Sequence, residues 1–298
     1  VVVSSVSPEK ELPHFVHYTG GHPYPSVESI HAASVVFGLV DDLRREDLVV
    51  YLLSGGGSAI CESPVSNNIS LDDLCEFFRL LVTCGANIVE MNVLRKHFSA
   101  IKGGRLAERA APARQMTLYV SDVPPDQPST VASGPTMPDK STVEDCQRLG
   151  QSLGLLERFP LSIQRMFHED TIPETPKPDG DSFARSSWHG LLSNQDGVAA
   201  LRAETDACGW IVAEDLSVDD WPHEKAVEHL IERLEIMRRT NLGKTVALLT
   251  GGELSVPVVG DGMGGRNQAF VLSCARRIEG RNIAIMSAGT DGIDGNSP

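Results

Sequence analysis

Apolar positions along the chain follow two periods. DLVVYLLS (47–54) is apolar at nearly every position and runs into three glycines, which predicts a buried strand. LDDLCEFFRLLVTCG (71–85) repeats its apolar residues at Leu71, Leu74, Phe77, Phe78 and Leu81, the spacing of one helical face. Ser70 is placed to cap that helix and Gly85 to stop it. Further strands are predicted at MTLYVSDV (116–123), TVALLTGG (245–252), LSVPVV (254–259) and NIAIMSAG (282–289). Helical patterns fill 143–156, 197–210, 224–240 and 267–278, and the proline-rich TIPETPKPDGDSF (171–183) reads as a surface loop.

Strands alternating with helices predict a parallel or mainly parallel sheet under helices. One internal echo adds to this. LLSGGGS (52–58) and LLTGGEL (248–254) both run from an apolar strand into Ser/Thr-Gly-Gly. Two such loops predict two α/β domains, each presenting a glycine loop at its strand ends, where open α/β sheets bind ligands. A boundary near 240, after the charged helix, gives domains 1–240 and 241–298. The expected fold class is α/β, with two three-layer α/β/α Rossmann-like domains and the second incomplete.

Charge narrows the partners. Lys and Arg total 26 against 40 Asp and Glu, a formal charge of −14. A nucleic-acid binder would carry the opposite balance. An anionic substrate must therefore be met by local basic groups or backbone amides. The six cysteines form no C-x-x-C pair, which fits reduced thiols in a cytoplasmic protein rather than zinc ligands. No apolar run is long enough for a membrane span. The start, VVVSSVSPEK, lacks signal-peptide design, and both ends read as cut.

Several segments could carry chemistry. Ser54, Gly55, Gly56, Gly57 and Ser58 offer consecutive amides that could hold phosphate or carboxylate oxygens, or could merely make a tight turn. VLRKHFSAIKGGRL (93–106) packs Arg95, Lys96, His97, Lys102 and Arg105 into an acidic chain, either as an anion site or as a solvated helix end. Asp122 and Asp126, beyond a strand, could orient Mg²⁺, act as general base, or only satisfy turn amides. LGKT (242–245) imitates a phosphate loop, but Arg238 stands where its first glycine is required. Ser99 and Lys102 match S-x-x-K without the accompanying motifs of serine β-lactamases.

GDGMGGRNQAF (260–270) fits the dinucleotide fingerprint G-x-G-x-x-G. The acid expected about 20 residues later, at the end of the next strand, is missing. Arg266 follows the last glycine instead and could neutralise a transferring phosphoryl group. This spacing favours phosphate chemistry over hydride transfer.

Taken in order, GGHPYP (20–25), LLSGGGSAI (52–60), NVLRKHFSAIKGGRLA (92–107), SDVPPDQPSTVASGPT (121–136), ETPKPDGD (174–181), LLTGGELSV (248–256), GMGGRNQAF (262–270) and SAGTDGIDG (287–295) resemble the class II glycerate kinase family, whose C-terminal part is called the MOFRL domain. The resemblance implies ATP- and Mg²⁺-dependent phosphorylation of D-glycerate, 2-phosphoglycerate being the favoured product, in a cleft between two α/β domains. On this reading Arg266 and Asp122 are the candidate catalytic residues, with Asp122 also the candidate metal ligand. Ser54 to Ser58, Arg95, Lys102, Glu253 and Asn267 are the candidates for binding substrate or phosphate. Some positions depart from the family. Ser26 stands where Asp is usual, Pro125 where Gly is usual, and Ala269 where Glu is usual, and no residue here matches the family's N-terminal catalytic lysine. The alternatives are a hydroxypyruvate reductase using NAD(P)H and an inactive truncated form.

Overall fold

The computed structural model describes all residues except 9, 11, 12, 122–127, 258, 259, 261, 291–293, 296 and 298. The chain forms two compact units, Val1–Ser193 and Asn194–Pro298.

In the first unit, β1 (Val2–Ser4) pairs in parallel with β2 (His17–Thr19). Ser26 then caps α1 (Val27–Val40), its side chain accepting from the Ser29 amide. Serine caps a helix about as well as the aspartate usual at this position in the family would. β3 (Leu48–Leu53) leads through the glycine loop to α2 (Leu71–Thr83), capped by Ser70 as the sequence predicts. Asn87 and Glu90 form a capping box for α3 (Ile88–Phe98), and α4 (Arg105–Ala110) follows the Gly103-Gly104 pair. After β4 (Arg114–Ser121) come α5 (Val143–Ser152), α6 (Leu161–His168) and β5 (Ser186–Ser193).

Strands β3, β4 and β5 form one parallel sheet in that order, Leu48 facing Arg114 and Gln115 facing Ser186. Parallel neighbours require long crossovers, and the intervening helices supply them. One core gathers Leu74, Phe77, Phe78, Leu94, Phe98, Phe159, Ile163 and Phe167. A second packs Tyr51 of β3 against Ala33, Val40, Ile101, Leu106 and Ala110. β3 is not buried on both faces as its composition predicts, since Leu48, Val50 and Leu52 are exposed. Segment 171–183 likewise differs from a free surface loop: Thr175 and Phe183 are buried, and the Pro173 carbonyl accepts from Arg105 Nη2 at 3.0 Å.

The second unit holds α7 (Asn194–Ala207), β6 (Ile211–Glu214), α8 (His223–Thr240), β7 (Val246–Leu249) and α9 (Arg266–Ile278). β6 and β7 pair in parallel, Ile211 opposite Val246. That pairing places 194–240 in the second unit, so the compact units divide upstream of the boundary expected near 240. Val218, Ala226, Val227, Leu230, Ile231, Phe270 and Cys274 make its core. The strand expected over 282–289 is absent among the described residues, although Ile285 still packs on this core. Residues 254–257 likewise show only a bridge between Ser255 and Pro222.

Candidate active site

In the first unit the glycine loop leaves the C-terminal end of β3. Gly56 has φ +74°, a left-handed conformation that favours glycine. Gly57 is needed for a different reason, because a Cβ there would lie 2.9 Å from the Ala132 Cβ. The loop therefore docks against 128–134. Ser58 Oγ lies 2.8 Å from Ser133 Oγ, which donates to Asn92 Oδ1 on α3 at 2.8 Å. Ala132, Ser133 and Gly134 all have positive φ, a run that two non-glycine residues adopt only under strain. It is held by Gly103 N–H donating to the Ser133 carbonyl and Gly104 N–H to that of Gly134. The Gly103-Gly104 pair is thus a brace for this turn.

The basic segment beside it is largely committed to internal partners. Lys96 Nζ meets Asp139 at 3.0 Å, both buried. His97 bonds the Val93 carbonyl at 2.7 Å and lies 3.3 Å from Glu174. Burial works against the Glu174 carboxylate, but Lys177 and the amides of Val143 and Thr175 outweigh it and hold its pKa at about 2. Lys102 is 1 % exposed and sits 3.4 Å from Glu62, itself fully buried. Burial pushes the Glu62 carboxyl upward, opposed by Lys102 and by Ser99, which donates to it at 2.5 Å. Lys102 is therefore a buried partner of Glu62. Arg95 has neither an ion pair nor a side-chain hydrogen bond among the described residues, and its Nε, like that of Arg105, is buried without a partner. It is 8 % exposed and lies 5.1 Å from the Phe78 ring centroid.

In the second unit the structure brings Glu253, Arg266 and Asn267 together. Arg266 opens α9 and its Nη1 meets Glu253 Oε2 at 2.9 Å. Asp294 caps the same helix, taking the amides of Asn267 and Gln268 at 2.9 and 3.0 Å and the Asn267 side chain at 3.2 Å. Burial disfavours its charge, but those amides, with Arg266 nearby, keep the Asp294 pKa below the ordinary carboxylate range. A side chain at Gly265 would run into Asp294, so the last glycine of the fingerprint makes room for this cap. Glu253 is set by its amide donating to Asp219 at 2.8 Å, with Gly252 against the same carboxylate at φ +108°.

Glu62, Asn92, Ser133, Asp219 and Asp294 escape sequence reasoning as single positions. Only Ser133 and Asp294 lie in stretches whose glycines advertise a tight turn. Asp122 lies outside the described residues. Among those described, no group of three or more His, Cys, Asp or Glu side chains could hold a metal ion, and no helix is long and apolar enough to cross a membrane.

The decisive comparison is with the D-glycerate 2-kinase of Thermotoga maritima. This chain is 36% identical to it over 291 residues, covering 96% of this chain and 67% of the relative. The chain belongs to the class II glycerate kinase family. A crystal structure of a glycerate kinase from the same organism superposes with a TM-score of 0.78 at 34% identity, covering 97% of this chain and 68% of that one. Residues 1–168 match the family described as a domain of unknown function, DUF4147, and 246–298 match the MOFRL family. An Agrobacterium vitis relative that carries a hydroxypyruvate reductase name is 35% identical over 280 residues, 92% of this chain and 62% of its own length. The chain thus spans about two thirds of the length of these relatives.

Proposed function

We propose that the protein is a D-glycerate 2-kinase, with ATP as phosphoryl donor. The observation that carries this reading is the kinship with a D-glycerate 2-kinase over nearly the whole chain. In the reaction a glycerate hydroxyl oxygen bonds to the γ-phosphorus, the bond from that phosphorus to the bridging oxygen breaks, and ADP leaves. Arg266 would neutralise charge on the transferring group. Its pairing with Glu253 does not prevent this. The two side chains are 46% and 67% exposed, and an ion pair so open to water contributes at most about 1 kcal/mol. The guanidinium can therefore exchange Glu253 for a phosphoryl oxygen. Asn267, fixed by Asp294, stands beside it. The amides of Ser54 to Ser58 would hold an anion.

Asp122 is our candidate to accept the hydroxyl proton or to orient Mg²⁺. The ion would arrive on the nucleotide phosphates, which commonly supply part of its coordination. Cytoplasmic residence is part of the same proposal.

The test is turnover of D-glycerate with ATP and Mg²⁺, run beside NADH oxidation with hydroxypyruvate. ADP release dependent on D-glycerate is expected, with ³¹P and ¹³C NMR showing the phosphate on the 2-hydroxyl. NADH consumption without ADP release would overturn the kinase in favour of the reductase. A folded chain inactive in both assays would leave a binding scaffold.

A further inference from the structure

Arg95 is the one member of the basic segment 95–105 whose charge meets neither a hydrogen-bond acceptor nor an ion-pair partner among the described residues. The buried charges around it do not cancel. Among the described residues Lys96 is matched by Asp139, while Glu62 faces both Lys102 and, at longer range, Arg95, so one carboxylate serves two buried cations. A guanidinium stays charged in proteins, and burying it without a counter-charge is costly. The Phe78 ring attracts the cation but offers no in-plane acceptor for its N–H groups. A buried guanidinium that shares its one counter-charge and has no acceptor among the described residues marks a place where an anion belongs.

Its position says which loop the anion would share. Arg95 stands one helical turn beyond Asn92 on α3, so the two lie on one face. Asn92 holds Ser133, and Ser133 holds Ser58, the last residue of the glycine loop. Asn92, which anchors the loop through Ser133 and Ser58, therefore lies one turn from Arg95 along α3. A single excess positive charge matches one carboxylate better than the several charges of a nucleotide triphosphate. The planar guanidinium fork also fits a planar carboxylate in two-pronged fashion. We propose that Arg95 is the receptor for the carboxylate of the 2-hydroxy acid substrate. The identity of that acid as D-glycerate rests on the kinase reading above.

Binding to the intact chain tests this without turnover. Calorimetry with D-glycerate and with D-lactate should show binding, and glycerol at equal concentration should show none. Arg95→Met should raise Kd for both acids at least tenfold, leave ATP binding unchanged, and unfold at a temperature equal to or above that of the wild type. Arg95→Lys keeps the charge without the fork, and should also raise Kd about tenfold; it serves if the Met variant does not fold. Wild-type affinity for D-glycerate in either folded variant would overturn the proposal. So would glycerol binding as well as the acids, or no binding of either acid to the wild type. The two readings fail separately. Acid binding through Arg95 without phosphorylation removes the kinase and leaves the receptor, whereas turnover with an unchanged KM in Arg95→Met does the reverse.

Discussion

Replacing Lys102 with methionine separates a structural lysine from a catalytic one. Methionine keeps most of the apolar stem and removes the charge, leaving Glu62 fully buried opposite nothing. At 3.4 Å and an effective dielectric constant of about 20, the lost attraction is about 5 kcal/mol. The carboxyl has a less costly escape, which is to take up a proton. From an ordinary pKa of 4.5, protonation at pH 7 costs about 3.4 kcal/mol, at roughly 1.36 kcal/mol per pH unit. The smaller cost wins, so Lys102→Met should lose about 3–4 kcal/mol at pH 7, within the range for broken buried pairs. The sign of the pH dependence follows. In the variant the folded state holds a proton that the unfolded state has released, so its stability falls as pH rises from 4.5 through neutrality. The deficit should shrink to about 1 kcal/mol at pH 5. Urea unfolding read by hydrogen exchange in β3 and β4 reports on this unit alone. The double variant Lys102→Met, Glu62→Leu should recover most of the loss. A deficit independent of pH, or a stable variant with a raised KM, would refute the argument and return Lys102 to the substrate.

Three further outcomes are expected. Arg266→Ala should lower kcat by about 10²–10³ while changing KM less, as loss of one electrostatic stabiliser does, and near-normal kcat would remove it from the mechanism. Asp294→Ala should cost about 0.5–2 kcal/mol through the lost helix cap and lower kcat by displacing Arg266, with reduced amide protection at Asn267 and Gln268; unaltered exchange there would deny it a capping role. Gly56→Val places a β-branched residue at φ +74° and should raise KM for glycerate or ATP at least tenfold, so an unchanged KM in a folded variant would make the loop a turn and nothing more.

Local features were readable because their causes are local. Ser70 caps α2 through the amide three residues on, and Gly85 supplies the left-handed residue just past the helix end. The ordered glycine motifs were equally readable, and they carried the family. What stayed hidden depends on partners distant in sequence. Nothing near Lys102 announces Glu62, and nothing near Lys96 announces Asp139, so the run of cations is legible while its buried partners are not. β3 was misleading in another way. A strand apolar at every position gives no signal of which face is covered, and only Val49, Tyr51 and Leu53 meet the core. Segment 282–289 has a strand's composition, but composition does not provide a neighbour to pair with.

The turn at 132–134 shows why these distant partners matter to the site. Two successive non-glycine residues with positive φ cost roughly 1–3 kcal/mol each. Against this stand four bonds: Ser58 to Ser133, Ser133 to Asn92, and the amides of Gly103 and Gly104 to the carbonyls of Ser133 and Gly134. Each is worth about 0.5–1.5 kcal/mol net. The two sums are of similar size, and the Gly134 amide adds a bond to the Val131 carbonyl at 2.8 Å, so the contacts offset the strain. The set joins the glycine loop, α3 and the entry to α4 in one unit. Gly104 cannot be spared, since a side chain there would meet Phe183 at 2.7 Å and the Met137 carbonyl at 2.9 Å. Strain at the turn is thus offset by contacts that also fix the loop amides relative to Arg95. Groups that are to receive an anion need that fixed relation before the ligand arrives, because ordering them afterwards would weaken binding.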